Sequence, residues 1–543
     1  MKRFKLFLAM AALACAIGLT VKYGSTYRPV VEPVREIEEI WALEDAREES
    51  GEPLVTRLFC NGVPMAYDAE NNVFYGSLGL ENGAQWPEIK LTASEEAAKG
   101  LSLCFADDYG FDDCDAAIRE GYSYQIFAYT DTAYSYAEVV FTGLPLVNVT
   151  AEQTIEREDV PAQIEIALAA EGLQTNGRIH KRGGASILND KVGYKLEFTR
   201  TTDGKKKIYR EIPGMGTDSQ VILLPMNALD TTMMRDRLSW ALYARLTRRD
   251  EPFSARKTQY CELFLNGEYR GVYLMLEPFS VRQEVAKAGE ERLTTDSVYR
   301  TAVISLSHGR PCMEDPYSAA TGFELYYPMD GEPDFSPLTD YFALLGETDD
   351  AAFMRRAAQI IDLDSALRYD VVLQLFGLTD NVINNMYTWA QNSRGHTCYR
   401  FDFWDLDVSW GLKRDEIGEM HENWVFFPLV DRLLRADEEG GVRKRYGEIY
   451  REVREKAFDA ETVEALVGQY AHELNDSGAM ARNAERWETE NYTADGYELV
   501  AFAAERIALL DEPVRAMSAG EEIDLRFLEK TNYDDKGTPL SEE

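Results

Sequence analysis

Three short stretches hold the residue types that phosphate and metal chemistry needs. The first is Arg182-Gly183-Gly184-Ala185-Ser186, followed by Lys191 and by a strand-like run carrying Lys195. Adjacent small residues let backbone N–H groups approach an anion. A lysine on the next strand then reaches the anion's oxygens as a mobile point charge. The second stretch is Asp380-Asn381 with Asn384-Asn385 close behind. Its carboxylate can accept a hydroxyl proton, and its amide oxygens can ligate a hard cation. The third is Trp404-Asp405-Leu406-Asp407, preceded by Tyr399, Phe401 and Phe403 alternating along one strand face. Asp405 and Asp407 are two apart where the strand should end, so they are expected to point the same way. Like carboxylates repel unless a cation sits between them. Each stretch also has a plain reading: a Gly-Gly turn with a strand lysine, an Asx-rich helix end, a solvated aspartate pair. Trp404, Leu406 and Trp410 imply burial and weigh against the last of these.

The elements that must position these residues follow from periodicity and turn chemistry. Strand-like runs occupy Gln163 to Ala170, Tyr194 to Arg200 and Gln220 to Leu224, and a helical pattern runs from Met233 to Leu246. Asn266-Gly267 between two apolar runs is the preferred type I′ hairpin turn, and it leads to Glu277. Leu363 to Leu378 reads as a buried helix, capped by Asp362 or Asp364. These elements define a mixed α+β domain over residues 145–515. Before it, residues 53–144 read as a β-rich, sandwich-like unit of short aromatic strands between Gly, Asn and Asp turns, a spacer or adhesion module. Residues 26–52 read as a charged helical linker and 516–543 as a polar tail. At the start, Lys2, Arg3 and Lys5 precede a 16-residue apolar run from Leu6 to Val21. Residues 1–25 are therefore a signal peptide or a membrane anchor, and either form exports the chain.

Composition bounds the partners. With 543 residues, two folded units plus tails are expected. Acidic residues number 94 against 57 basic ones, a net charge of -37 that repels nucleic acid. A nucleotide remains compatible, provided that a divalent metal and local cations overcome the global field. Only five histidines are present, and the cysteines after residue 25 match no zinc spacing, so a Cys/His metal site is disfavoured. The thiols read as isolated and buried, with a Cys104–Cys114 bridge the alternative in an exported chain. No H-E-x-x-H, G-x-S-x-G or Walker A pattern occurs.

Taken together, Arg182 to Ser186, Lys191 to Lys195, Arg235-Asp236-Arg237, Asn266 to Glu277, Asp380 to Tyr387 and Trp404 to Gly411 resemble, in order, the landmarks of the CotH family. This is a family of secreted kinase-like proteins named for a spore-coat component. The resemblance spans about residues 145 to 515. It implies a two-lobed, atypical protein-kinase-like domain that transfers the γ-phosphoryl group of ATP, with Mg2+ or Mn2+, to Ser or Thr of a protein substrate. On that resemblance Lys195 and Asp380 are catalytic, and Arg182, Gly183, Gly184, Ser186, Lys195 and Glu277 bind the nucleotide. Asn385, Asp405 and Asp407 hold metal. The spacing of Asp380 and Asn385 is that of the kinase catalytic-loop Asp and its metal-binding Asn. Two further readings stand beside it. One is a non-catalytic scaffold for a spore coat or cell-surface complex, and the other a metal-dependent hydrolase or carbohydrate-active enzyme.

Overall fold

The computed structural model describes residues 29–521 apart from 34, 81–82, 84–88, 95–99, 107–112, 184, 227–229, 247–254, 280–295, 303–321, 329–333, 394–395, 413–423, 426 and 489–491. The apolar run Leu6 to Val21, Gly184 and most of the 516–543 tail lie outside the described residues. Among the described residues, no helix is long and apolar enough to cross a membrane.

The first unit is built from two sheets. One has seven strands, in the order Val31–Glu32, Ser102–Phe105, Ser123–Tyr129, Ala133–Thr142, Val73–Ser77 and Ala66–Asp68, with Glu48–Glu49 also pairing Ala133–Thr142. The other has three strands: Val63–Pro64, Leu58–Cys60 and Leu91–Ala93. Both contribute to one apolar core that includes Leu58, Leu91, Leu103, Ile126 and Phe141. The stretch expected as a linker does form a helix, Ile37–Asp45, but it is part of this unit. Strand Val31–Glu32 pairs with Ser102–Phe105, and Ile40 packs on Cys104 and Phe127. The cause is apolar: a helix with a buried isoleucine cannot be a solvated spacer. Cys104 and Cys114 lie in separate apolar clusters, so no bridge joins them.

Next comes a closed barrel of seven strands: β1 (Leu146–Thr150), β2 (Val160–Leu168), β3 (Glu171–Arg182), β4 (Gly193–Thr199), β5 (Gln220–Leu224), β6 (Thr258–Leu265) and β7 (Glu268–Leu276). Neighbours run β1-β2-β3-β4-β5-β7-β6, and a parallel β1–β6 pairing closes the ring. Side-chain alternation sorts the faces. Val147, Ile164, Ile179, Leu196, Leu223 and Leu263 fill the interior. Residues between them in sequence, such as Lys195 and Ile222, therefore look outward. Asn266 and Gly267 have φ 53 and 80, as a type I′ turn requires.

The outer face of β5 and β7 packs on the helical half through Ile222, Leu224, Leu274 and Leu276. Helix α1 (Arg235–Ala244) lies at this seam. Beyond it stands a four-stranded sheet in the order β9-β8-β10-β11, where β8 is Ser297–Ala302, β9 Phe323–Tyr327, β10 Asn384–Ser393 and β11 His396–Phe403. Helix α2 (Leu363–Phe376) backs this sheet. Of its two candidate caps, Asp362 accepts the Ser365 N–H at 3.0 Å, while Asp364 pairs with Arg445. Short α3 (Asp380–Ile383) leads into β10. Helices α4 (Gly441–Lys456), α5 (Ala460–Asp476), α6 (Ala479–Arg486) and α7 (Tyr497–Ala519) also belong to this half, as do the helices Thr339–Leu345, Asp350–Ile360 and Pro428–Arg435.

All three parts meet at one buried ion pair. Glu262 of β6 is fully buried and takes two hydrogen bonds from Arg482 of α6, at 2.8 and 2.9 Å, and one from Tyr269 at 2.7 Å. The Arg482 guanidinium lies 5.9 Å from the ring of Tyr75, a residue of the first unit, and that ring stacks on Tyr269.

Candidate functional site

The basic side of the site is set by the barrel. Strand β3 ends at Arg182, opposite Gly193. The chain then turns through Gly183, whose φ of 127 suits glycine alone; a Cβ there would stand 2.4 Å from Ser186 Oγ. Ser186 lies in the short 3-10 turn Ala185–Leu188 and accepts the Asn189 N–H at 3.2 Å. Lys191 is spent on structure. It is almost fully buried, donates to Asn483 at 2.9 Å, and lies 5.3 and 5.2 Å from the Tyr273 and Tyr492 rings. Lys195 is different. On the outer face of β4, between His180 and Ile222 on the adjoining strands, it is half-buried and has no hydrogen-bond or ion-pair partner among the described residues. Burial, then the charges of Lys207 and Arg182, pull its ammonium below the usual lysine range. Arg182 also lacks a carboxylate partner among the described residues; its guanidinium lies 5.6 Å over the ring of Trp404.

Trp404 belongs to the acidic side. Asn385 and Asp405 both adopt left-handed backbone, φ 56 in each, a conformation that Asn and Asp tolerate better than other side chains. The two segments are clasped together. Trp404 N–H donates to Asn385 O at 3.0 Å, and Asn381 Nδ2 donates to Trp404 O at 2.7 Å and to Asn385 O at 3.3 Å. Asp380, 3 % exposed, accepts from Asn385 Nδ2 at 2.8 Å and from Asn384 Nδ2 at 3.4 Å. Asp380, Asn385 and Asp405 are thus held in one group, and Arg182 reaches it from the barrel by way of Trp404.

The backbone overturns one expectation. The strand ends at Phe403, and the left-handed turn at Asp405 breaks the alternation that was to align Asp405 with Asp407. Asp407 is half-buried, and its carbonyl accepts the Ser409 N–H. The carboxylate that does stand against Asp405 is Asp236 of α1. It is 3 % exposed and accepts the Leu406 N–H at 3.0 Å. Burial first, and the Asp405 charge second, push its carboxyl above the ordinary range, while Arg182 opposes the shift. Asp236 is a site carboxylate that the motif spacings do not pick out. The one signal in the sequence was its place between Arg235 and Arg237. Those arginines are occupied: Arg235 pairs with Asp230 at 2.6 Å, and Arg237 pairs with Glu473 between the rings of Tyr260 and Tyr470. Glu277 is not brought into the group by any contact among the described residues. Its carboxylate accepts the Lys257 N–H at the open end of the β6–β7 hairpin.

Among the described residues, no three His, Cys, Asp or Glu side chains gather into a ready metal cage. What is present is the Asp236 and Asp405 carboxylates and the Asn385 amide, whose Nδ2 holds the third carboxylate, Asp380. That partial oxygen set suits a hard divalent ion whose remaining positions are filled by water and phosphate. The described residues thus place a guanidinium from the barrel, over Trp404, beside carboxylates on the adjoining helix and loop. The family pattern described as CotH kinase protein matches residues 179–510, and the chain belongs to this family. The match opens within β3, so β1, β2 and the whole first unit precede it. Among curated proteins, none matches the chain.

Proposed function

We propose that the chain is an exported, metal-dependent protein kinase that transfers the γ-phosphoryl group of ATP to a Ser or Thr hydroxyl of an envelope, coat or extracellular protein. The observation that supports this reading is Arg182, which has no carboxylate partner among the described residues and lies over Trp404 beside the group Asp380, Asn385 and Asp405, with the Lys195 ammonium close enough to Arg182 to feel its charge. In the two-lobed kinase reading, the barrel is the nucleotide-binding lobe. Lys195 and the 182–186 turn hold the triphosphate, and a bound anion favours the charged form of Lys195. A bound Mg2+ or Mn2+ would neutralise charge developing on the phosphate oxygens, with Asp405 and Asn385 as its ligands. Asp380 orients the acceptor hydroxyl and takes its proton as that oxygen bonds to the γ-phosphorus. The bond from the γ-phosphorus to the bridging oxygen breaks, and ADP leaves. The basic n-region and apolar run at residues 1–25 support export, with the membrane met through that segment.

Transfer of labelled γ-phosphate, with Mn2+ or Mg2+, tests the reading. Incorporation as phosphoserine or phosphothreonine, lost in Asp380→Asn and Asp405→Ala, supports it. Nucleotide-independent behaviour, with no ATP binding, leaves a scaffold of the same fold.

A further inference from the structure

Asp236 has no task in the scheme above, yet it is as deeply buried as Asp380. Its Oδ1 accepts the Leu406 N–H at 3.0 Å, which fixes the group against the Asp405–Leu406 peptide. It is nearly fully buried, and no ion pair to it or to Asp405 exists among the described residues. Its neighbour Asp230 shows the contrast, being neutralised by Arg235 at 2.6 Å. Two carboxylates this close, one of them buried, are costly unless a cation joins them. A second observation points the same way. Asn381 is fully buried and clasps the Trp404 and Asn385 carbonyls, and its Oδ1 has no hydrogen-bond partner among the described residues, so the wall of the group carries a further acceptor.

We infer that Asp236 ligates the divalent cation together with Asp405, in the place that the family resemblance gives to Asp407. The inference rests on the phosphotransfer reading. It assigns α1 a role in assembling the site: the helix that packs against the barrel also delivers a metal ligand to the loop after β11. Barrel, helix and loop must then be docked before the cation binds.

The test is Mn2+ binding followed by electron paramagnetic resonance, with and without a non-hydrolysable ATP analogue. Asp236→Asn keeps an acceptor for the Leu406 N–H and removes the charge. It is expected to weaken Mn2+ binding on the order of 10- to 100-fold, as Asp405→Asn does, without lowering the melting temperature. Asp236→Glu is expected to recover most of the binding. Wild-type affinity in Asp236→Asn beside lost affinity in Asp405→Asn would overturn the inference alone and reduce Asp236 to an acceptor for Leu406. Absence of Mn2+ binding by the wild-type protein in both conditions would overturn the phosphotransfer reading, and this inference with it.

Discussion

Replacing Asp370 by Asn should change how the stability of the helical half depends on pH. Asp370 lies on α2 at 1 % exposure. Tyr446 Oη donates to its Oδ2 at 2.7 Å, and Gln374 Nε2 donates to its Oδ1 at 3.3 Å. Burial dominates these bonds and pushes the carboxyl up to about 7; Asp431 adds to the shift and Arg506 opposes it. A carboxyl whose folded value lies above its unfolded value binds a proton more tightly when folded. Its stabilising contribution is thus complete only below the unfolded value of 3.8 and is lost progressively as pH rises from there through about 7. From the ordinary value of 3.8 and a folded value of about 7, roughly 2 kcal/mol is lost between about pH 5.5 and pH 8. Asn cannot titrate and still offers Tyr446 an acceptor, so the variant should lack this loss. Thermal unfolding across that range, followed for both proteins in parallel, reads the difference between the two curves. Curves that run parallel would refute the reasoning, because they would mean that Asp370 is ionised in the folded state throughout.

Three further outcomes follow from the same contacts. Arg482→Met strands the buried Glu262 carboxylate where the first unit, barrel and α6 meet, and should cost about 3–5 kcal/mol, measured by denaturant unfolding. Gly271 has φ 88, and a Cβ there would lie 2.5 Å from Asn483 Oδ1. Gly271→Ala should therefore destabilise the protein by more than about 1 kcal/mol in the same assay. Lys195→Met leaves the β4 register intact while removing an unpartnered ammonium. It should raise the ATP concentration needed for half-maximal transfer at least tenfold with little change in melting temperature; a large drop in melting temperature would instead mark Lys195 as structural.

Local signals were legible where local physics decides. The Asn266-Gly267 hairpin, the Asp362 cap and the Tyr399–Phe401–Phe403 face each depend on neighbours within a few residues, and each stands in the fold as the pattern required. The site was legible only in part. Asp380 and Asn385 are close in sequence and remain close in space. Asp236 and Asp405 are far apart in sequence, and nothing local announced their meeting. The alternation rule failed at Asp405 because a left-handed residue ends the strand, and pattern alone does not say where a non-glycine will adopt that conformation. Lys191 and Lys195 lie four residues apart, and only the family resemblance singled out Lys195. Only the barrel separates them, turning one into an aromatic-lined pin and leaving the other unpartnered.

A structure with a non-hydrolysable ATP analogue and Mn2+, using the anomalous signal of manganese, tests the central claim most directly. The account predicts a manganese peak within coordination distance of Asp405 and Asn385, with the Lys195 ammonium on the triphosphate oxygens. A triphosphate bound elsewhere, or manganese absent from that group at saturating analogue, would contradict it.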